Sequence, residues 1–156
     1  MSGLIGSAGS KSGVIGQTEL DYEEGTWDMT VTGSSGGSFT LHADYTTHSY
    51  IKIGKLVNVR GKVQITAESS PSGLVKFTLP FVNKDLIDHG GYSAGSCYLY
   101  RTGNNAIYNP TPIAVEGVSY FYVFLNNISN NDYVGLNDSN TDHAWEMMYH
   151  LAYQTT

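Results

Sequence analysis

Three carboxylates lie within four positions near the start of the sequence, in the segment DYEEGTW at 21–27. Carboxylates about 5 to 9 Å apart across a cleft can hydrolyse a glycosidic bond, and carboxylate oxygens also bind calcium. Glu23 and Glu24 do not suit the first role, because neighbouring side chains diverge in an extended backbone. The spacing is also not that of an EF-hand. We interpret Asp21, Glu23 and Glu24 as a structural turn, with calcium binding as the less favoured alternative.

The five histidines and the single cysteine lack the spacing of a metal or catalytic site. There is no HExxH pair, and one cysteine cannot build a Cys/His zinc site. His89 and His143 each follow an aspartate, but no GxSxG nucleophile elbow accompanies them. We interpret these histidines as solvated turn residues and Cys97 as a small buried apolar residue. The sequence therefore predicts a protein that is not an enzyme, with no metal ion and no cofactor.

Carbohydrate recognition is the remaining candidate chemistry. Sugars stack on aromatic faces, and planar polar side chains hold their hydroxyls. Tyrosine and asparagine, with one arginine, are concentrated between 98 and 108 and again near 133, in segments that we expect to be distal loops. The predicted ligand-binding residues are Tyr98, Tyr100, Arg101, Asn104, Asn105, Tyr108 and Tyr133. The alternative for each tyrosine is a place in the core or in a contact between subunits.

The composition of the 156 residues excludes some partners. Charged residues make up 14%, the net charge is −6, and Lys and Arg together number eight, so nucleic-acid binding is disfavoured. No apolar run reaches about 18 residues, so we expect no membrane insertion.

Alternation with a period of two predicts β-strands from Trp27 onward. VNVRGKVQITA at 57–67 places its valines, Ile65 and Ala67 on one face, with Gly61 among them as a bulge or close crossing. VSYFYVFL at 118–125 is apolar on both faces, which predicts a central strand or a subunit contact. Turn signals separate the runs, among them ESSPSG at 68–73 and NPTP at 109–112. The predicted core includes Trp27, Val57, Val59, Val63, Ile65, Phe77, Leu79 and Phe81. The predicted fold is all-β, an antiparallel β-sandwich or jelly roll.

The first 19 residues differ in composition from the rest. SGLIG at 2–6 returns as SGVIG at 12–16, within a segment rich in glycine and serine. Such a segment cannot bury its apolar pairs alone, so it predicts a linker, or a stalk that becomes ordered against copies of itself. We expect residues 1–19 to be this stalk and 20–156 to be the β-sandwich.

Three motifs carry a resemblance to a known family. LDYEEGTW, then YIKIGKLVNVRGKVQIT, then VKFTLPF follow one another between about 20 and 81. Together they resemble a module at the C-terminal ends of bacteriophage tail fibres and tailspikes. The second half of the chain matches only vaguely. The resemblance implies that the acids form the entry corner of a β-domain, where the stalk joins the sandwich.

The resemblance also implies a virion protein that forms a homotrimer at a fibre or tailspike tip. Its expected partner is a host cell-surface receptor, which could be a polysaccharide or lipopolysaccharide. Two alternatives remain: a structural trimerisation cap without a ligand, and, less favoured, a polysaccharide-cleaving enzyme. The chain is too short for the large β-helix that usually carries depolymerase chemistry in tailspikes.

Overall fold

The computed structural model describes residues 21–101, 109–127, 132–137 and 144–156. Within them the chain forms twelve strands and one turn of 3-10 helix, Ala43–Tyr45, without an α-helix. The strands are β1 (Tyr22–Asp28), β2 (Val31–Gly33), β3 (Gly36–Leu41), β4 (Thr47–Ile53), β5 (Leu56–Ser72), β6 (Val75–Thr78), β7 (Ser93–Ala94), β8 (Ser96–Arg101), β9 (Asn109–Ala114), β10 (Tyr120–Asn127), β11 (Asp132–Gly135) and β12 (Trp145–Gln154). The predicted all-β fold is confirmed. The predicted stalk lies outside the described residues.

All strand pairings are antiparallel, and they form two layers. Sheet I has the order β1-β4-β5-β12-β8, and sheet II has the order β5-β3-β2-β6-β10-β9-β7, with β11 beside β10. Strand β5 belongs to both sheets, because its first half pairs with β4 and β12 and its second half with β3. In the described part of the chain, no helix is long and apolar enough to cross a membrane.

A β-bulge lets the long strand β5 pass from one sheet to the other. Leu41 pairs with Ile65 and Thr40 pairs with Ala67, so Thr66 is the extra residue on β5. A bulge shifts the alternation by one position. Thr66 and Ala67 are therefore both exposed, and the prediction that Ala67 faces the core is wrong.

The core lies between the two sheets. Of the predicted core residues, all are buried except Trp27 and Phe81, which pack against the core while partly exposed. The buried hydrophobic residues are Met29, Val31, Phe39, Val57, Val59, Val63, Ile65, Val75, Phe77, Leu79, Leu99, Ala114, Phe121, Val123, Leu125, Leu136, Trp145, Met147, Tyr149, Leu151 and Tyr153. Strand β10 is central in sheet II, as its sequence predicts.

The centre of the core is aromatic. The rings of Phe77 and Phe121 stack at 4.9 Å, and Trp145 meets the Phe77 ring edge-on at 6.0 Å. The Tyr149 ring lies 5.1 Å from Phe121 on the other side. Such pairs contribute beyond the area they bury, so these rings hold the two sheets together.

The prediction that the histidines are solvated turn residues holds for the exposed His89 but is wrong for His48. It lies in β4 and is only 2% exposed, and the hydroxyl of Tyr149 is 2.9 Å from its Nδ1. The ring occupies the space over Gly61, where an added Cβ would lie 1.9 Å from the same nitrogen. Gly61 is therefore the predicted close crossing, and the group that approaches it is an imidazole.

Two predicted turns are strands. Strand β5 continues through 68–72, and Pro71 lies in a stretch where the β3–β5 register shifts, so no ladder hydrogen bond needs its missing N–H. The NPTP segment forms the start of β9. Its neighbour β7 pairs only with Ala114 and Ile113, so it requires no N–H from Pro110 or Pro112.

We expect Phe77→Ala to lower the free energy of unfolding by about 3 to 5 kcal/mol, because it removes a fully buried ring between two aromatic partners. Urea unfolding monitored by circular dichroism measures the change. Val82→Ala, at a side chain that is 45% exposed, is the control. Equal stability of the two variants would contradict the assigned core.

Stability should also depend on pH through His48. Burial lowers the pKa of His48 below its ordinary value of 6.5, against smaller opposing effects of Tyr45 and Asp28. Near pH 6.5 the His48 side chain therefore binds a proton in the unfolded chain but remains neutral in the folded chain. The free energy of unfolding should fall as the pH drops below about 6.5 towards the folded-state pKa.

Urea unfolding at about pH 7.5 and about pH 5.5 tests this expectation, since the two values bracket the ordinary histidine pKa. His48→Gln should show a smaller loss at the lower pH than the wild type. The same pH dependence in both proteins would rule out His48 as the source.

Candidate binding surface

The outer face of sheet I concentrates exposed apolar side chains. Ten large hydrophobic residues are exposed among the described residues, and seven of them lie on this face. They are Tyr22, Ile51, Ile53, Leu56, Tyr98, Tyr100 and Met148. Exposed apolar side chains gathered on one surface can mark an interaction site. We call this surface the sheet I face.

Strand register brings these side chains into rows. Tyr22 pairs with Ile53, and Ile53 pairs with Leu56, so an aliphatic end lies where the chain enters β1. At the opposite end Met148 pairs with Tyr98. The sheet I face therefore has an aliphatic end and an aromatic end.

The middle of the face is concave. A depression of about 640 Å³ is lined by both apolar and polar side chains, among them Ile51, Glu24, Arg60 and His150. Arg60 and His150 are paired across β5 and β12, which places the guanidinium and the imidazole at its centre. Arg60 has no carboxylate within ion-pair distance among the residues described. The face thus offers an unpaired guanidinium between two apolar ends.

Lys62 and Glu146 lie at the aromatic end and neutralise each other. Their charged groups are 2.7 Å apart, and each side chain keeps about a third of its surface exposed. The Lys62 ammonium also lies 4.6 Å from the centre of the Tyr45 ring. The ion pair and the hydrogen bond within it raise the pKa of Lys62, so this lysine stays charged.

The structure brings two of the predicted ligand-binding residues together. Tyr98 and Tyr100 project from β8 onto the sheet I face, where 57% and 45% of their surfaces are exposed. They therefore lie on a strand and not in a loop. The backbones of Arg101 and Tyr133 lie in β8 and β11, but their side chains are outside the description. Asn104, Asn105 and Tyr108 lie outside the described residues.

Sequence reasoning missed the aliphatic part of this surface. Ile51, Ile53 and Leu56 occupy positions that alternation assigns to the solvent face, and so does Met148 in β12. The signal was present, because apolar residues on the polar side of an alternating strand are unexpected in an isolated domain. It can be read only after each strand's inner face is known.

Glu23 and Glu24 lie in strand β1 and not in a turn, and Asp21 directly precedes the strand. The Tyr50 hydroxyl donates a hydrogen bond to Glu23 at 2.6 Å, and the Lys52 ammonium lies 3.3 Å from the same carboxylate. The first of these contacts lowers the pKa of Glu23 most. Glu24 points to the opposite face, where it accepts a hydrogen bond from Tyr22. The prediction that the two glutamates diverge is confirmed.

The remaining candidate groups offer little for catalysis. Burial raises the pKa of the Cys97 thiol to about 12, so the thiolate is scarce at neutral pH. His89 lies in a turn, where its ring forms a hydrogen bond with the Glu116 carboxylate. No group of three His, Cys, Asp or Glu side chains within the described ranges is arranged to hold a metal ion.

No protein-family model matches the sequence, and a search of curated proteins found no match.

Tyr100→Ala tests the aromatic end of the sheet I face. Its ring is 45% exposed, so its removal should leave the fold intact, as read by circular dichroism and the melting temperature. The variant should instead lose an intermolecular contact, seen as a lower mass in sedimentation or as weaker binding to sugars on a glycan array. A folded variant that retains both properties would show that Tyr100 contributes to neither.

Proposed function

We propose that this chain is the end domain of a bacteriophage tail fibre or tailspike, which assembles as a homotrimer and attaches the virion to a host cell-surface glycan. The observation that carries the assembly part is the sheet I face, with its seven exposed large hydrophobic residues. Interfaces between identical subunits are more apolar than ordinary surface. The attachment part rests on the resemblance to phage fibre modules at 20–81.

The charges on the sheet I face favour a copy of the same chain as its partner. A carboxylate lies on the edge strand β1, where Glu24 is exposed on this face. The unpaired Arg60 lies two strands inward, beside His150. A rotated second copy can bring its acidic edge to this basic centre while the apolar ends meet. A closed ring of three such contacts gives every subunit both halves of the pair.

β1 is also available for contact. Within the part of the chain that the structure describes, β1 pairs only with β4, so its outer edge has no strand beside it. An unpaired edge strand can pair with another chain, and natural proteins protect such edges with charged residues or cover them. Its glutamates and the nearby Lys52 discourage uncontrolled strand addition while leaving the face open for a defined neighbour.

Met148→Glu tests the assembly. The wild type should sediment at about 51 kDa, three times the chain mass of 17.0 kDa. A carboxylate placed at this 52% exposed position would bring a charge into an apolar contact, and the neighbouring Lys62 is already paired with Glu146, so the variant should sediment nearer to one chain. Ile87→Glu is the matched control, because Ile87 is fully exposed and lies outside the face. A monomeric wild type would contradict the proposal.

Attachment needs a separate measurement. Fluorescently labelled protein is mixed with a panel of bacterial strains, and the bound fraction is counted by flow cytometry. We expect binding to some strains and its loss after enzymatic or periodate destruction of their surface polysaccharide. A stable trimer that binds no strain would instead support the structural alternative, a trimerisation cap without a ligand.

A further inference from the structure

The outer face of sheet II carries a row of aromatic rings on β10. Phe121, Val123 and Leu125 face the core, so the alternate residues Tyr120, Tyr122 and Phe124 face outward. The rings of Tyr120 and Tyr122 are 5.3 Å apart, and those of Tyr122 and Phe124 are 6.4 Å apart, both edge to face. These three half-buried side chains form what we call the aromatic ladder.

A cationic group accompanies the aromatic ladder. The Lys76 ammonium lies 5.5 Å from the centre of the Tyr120 ring. Lys76 lies on β6 two residues before Thr78, the partner of Tyr120, and it pairs with Thr32 of β2. No carboxylate of the described residues is within ion-pair distance of Lys76. An unpaired ammonium beside aromatic rings suits an anionic group on a ligand.

The polar groups around the aromatic ladder are hydroxyls. Thr78 pairs with Tyr120, and Thr111 pairs with Phe124, from the strands on either side. Burial, and then the hydrogen bond with Tyr120, raises the pKa of Tyr122 to about 12. Its phenol therefore remains protonated and can both donate and accept a hydrogen bond.

The outer face of sheet II exposes fewer large hydrophobic side chains than the sheet I face. None of the ten exposed large hydrophobic residues in the described part of the chain lies on β2, β6, β9 or β10. The rings of the aromatic ladder are half-buried and lie between hydroxyl groups, so this surface leaves less apolar area open than the sheet I face. It suits sugar rings, whose C–H faces stack on aromatic side chains and whose hydroxyls need partners.

We propose that the aromatic ladder and Lys76 form a binding site for an acidic carbohydrate, whose carboxylate or phosphate group contacts Lys76 while its sugar rings lie against Tyr120 and Tyr122. This assignment rests on the proposed function only in naming the host surface as the source of the glycan. It places the glycan on the sheet opposite the assembly face, so one trimer presents three separate sites.

The test uses the full chain on an array of uronic-acid and sialic-acid oligosaccharides, each printed beside its carboxyl-reduced counterpart. The wild type should bind at least one acidic oligosaccharide and bind its reduced counterpart more weakly. Lys76→Gln should lower the affinity about tenfold, because it removes a charge-assisted contact. Tyr122→Ala should lower it about fivefold, because it removes one stacking surface.

Two controls make the result specific. Lys55→Gln removes the same charge from an exposed turn between β4 and β5, and Tyr122→Phe retains the ring. Both should bind within about twofold of the wild type, since neither removes a principal contact. Sedimentation of all four variants should match the wild type, because their side chains lie outside the sheet I face. Circular dichroism should show that each variant is folded at the assay temperature, including Tyr122→Ala, which loses a half-buried ring.

The proposed site is wrong if the wild type binds no acidic oligosaccharide, or if either Lys76→Gln or Tyr122→Ala binds as well as its control. A wild-type protein that attaches to bacterial cells while these variants also attach would place the glycan elsewhere and leave the proposed function standing. A protein that binds acidic oligosaccharides through Lys76 but attaches to no strain would retain the site and overturn its assignment to host attachment.

Discussion

The pairing of β12 with β5 is the interaction on which the rest of the structure depends. It joins ten residue pairs in one uninterrupted antiparallel register. On its inner side it supplies Trp145, Tyr149 and Leu151 to the core, and on its outer side it sets Met148 and His150 on the sheet I face. A slip of one residue would exchange the two sides. The core and the candidate assembly surface are therefore two consequences of a single register.

The alternation of side chains explains why the fold could be predicted from sequence, and local exceptions explain where the prediction failed. The inward valines of β5 and the aromatic positions of β12 follow directly from a period of two. Ala67 broke the rule because the bulge depends on the partner strand β3, which the sequence of β5 does not reveal. The buried place of His48 likewise depends on Tyr149, a residue 101 positions away in sequence. Composition and periodicity are local signals, and both failures come from non-local contacts.

The candidate site could be predicted only in part for the same reason. Tyrosine and arginine are recognised from sequence as binding residues by their chemistry, which is how Tyr98 and Tyr100 were selected. The aliphatic residues of the sheet I face have no such chemistry, and their meaning comes from the row in which strand register places them. For the aromatic ladder, the apolar character of both faces of β10 was evident from the sequence. Its neighbour Lys76 was not, because it comes from a strand more than forty positions earlier.

The position of β1 at the edge of sheet I has a mechanical meaning. The chain enters the described domain at Asp21 and at once forms seven consecutive pairs with β4. A pull directed along β1 from that end stretches all seven pairs in shear, so they share the tension and must fail together. The same pull applied across the strand would open them one at a time. A domain tethered through this end therefore resists dragging forces along its own strands best, and the direction of its tether determines how much load it survives.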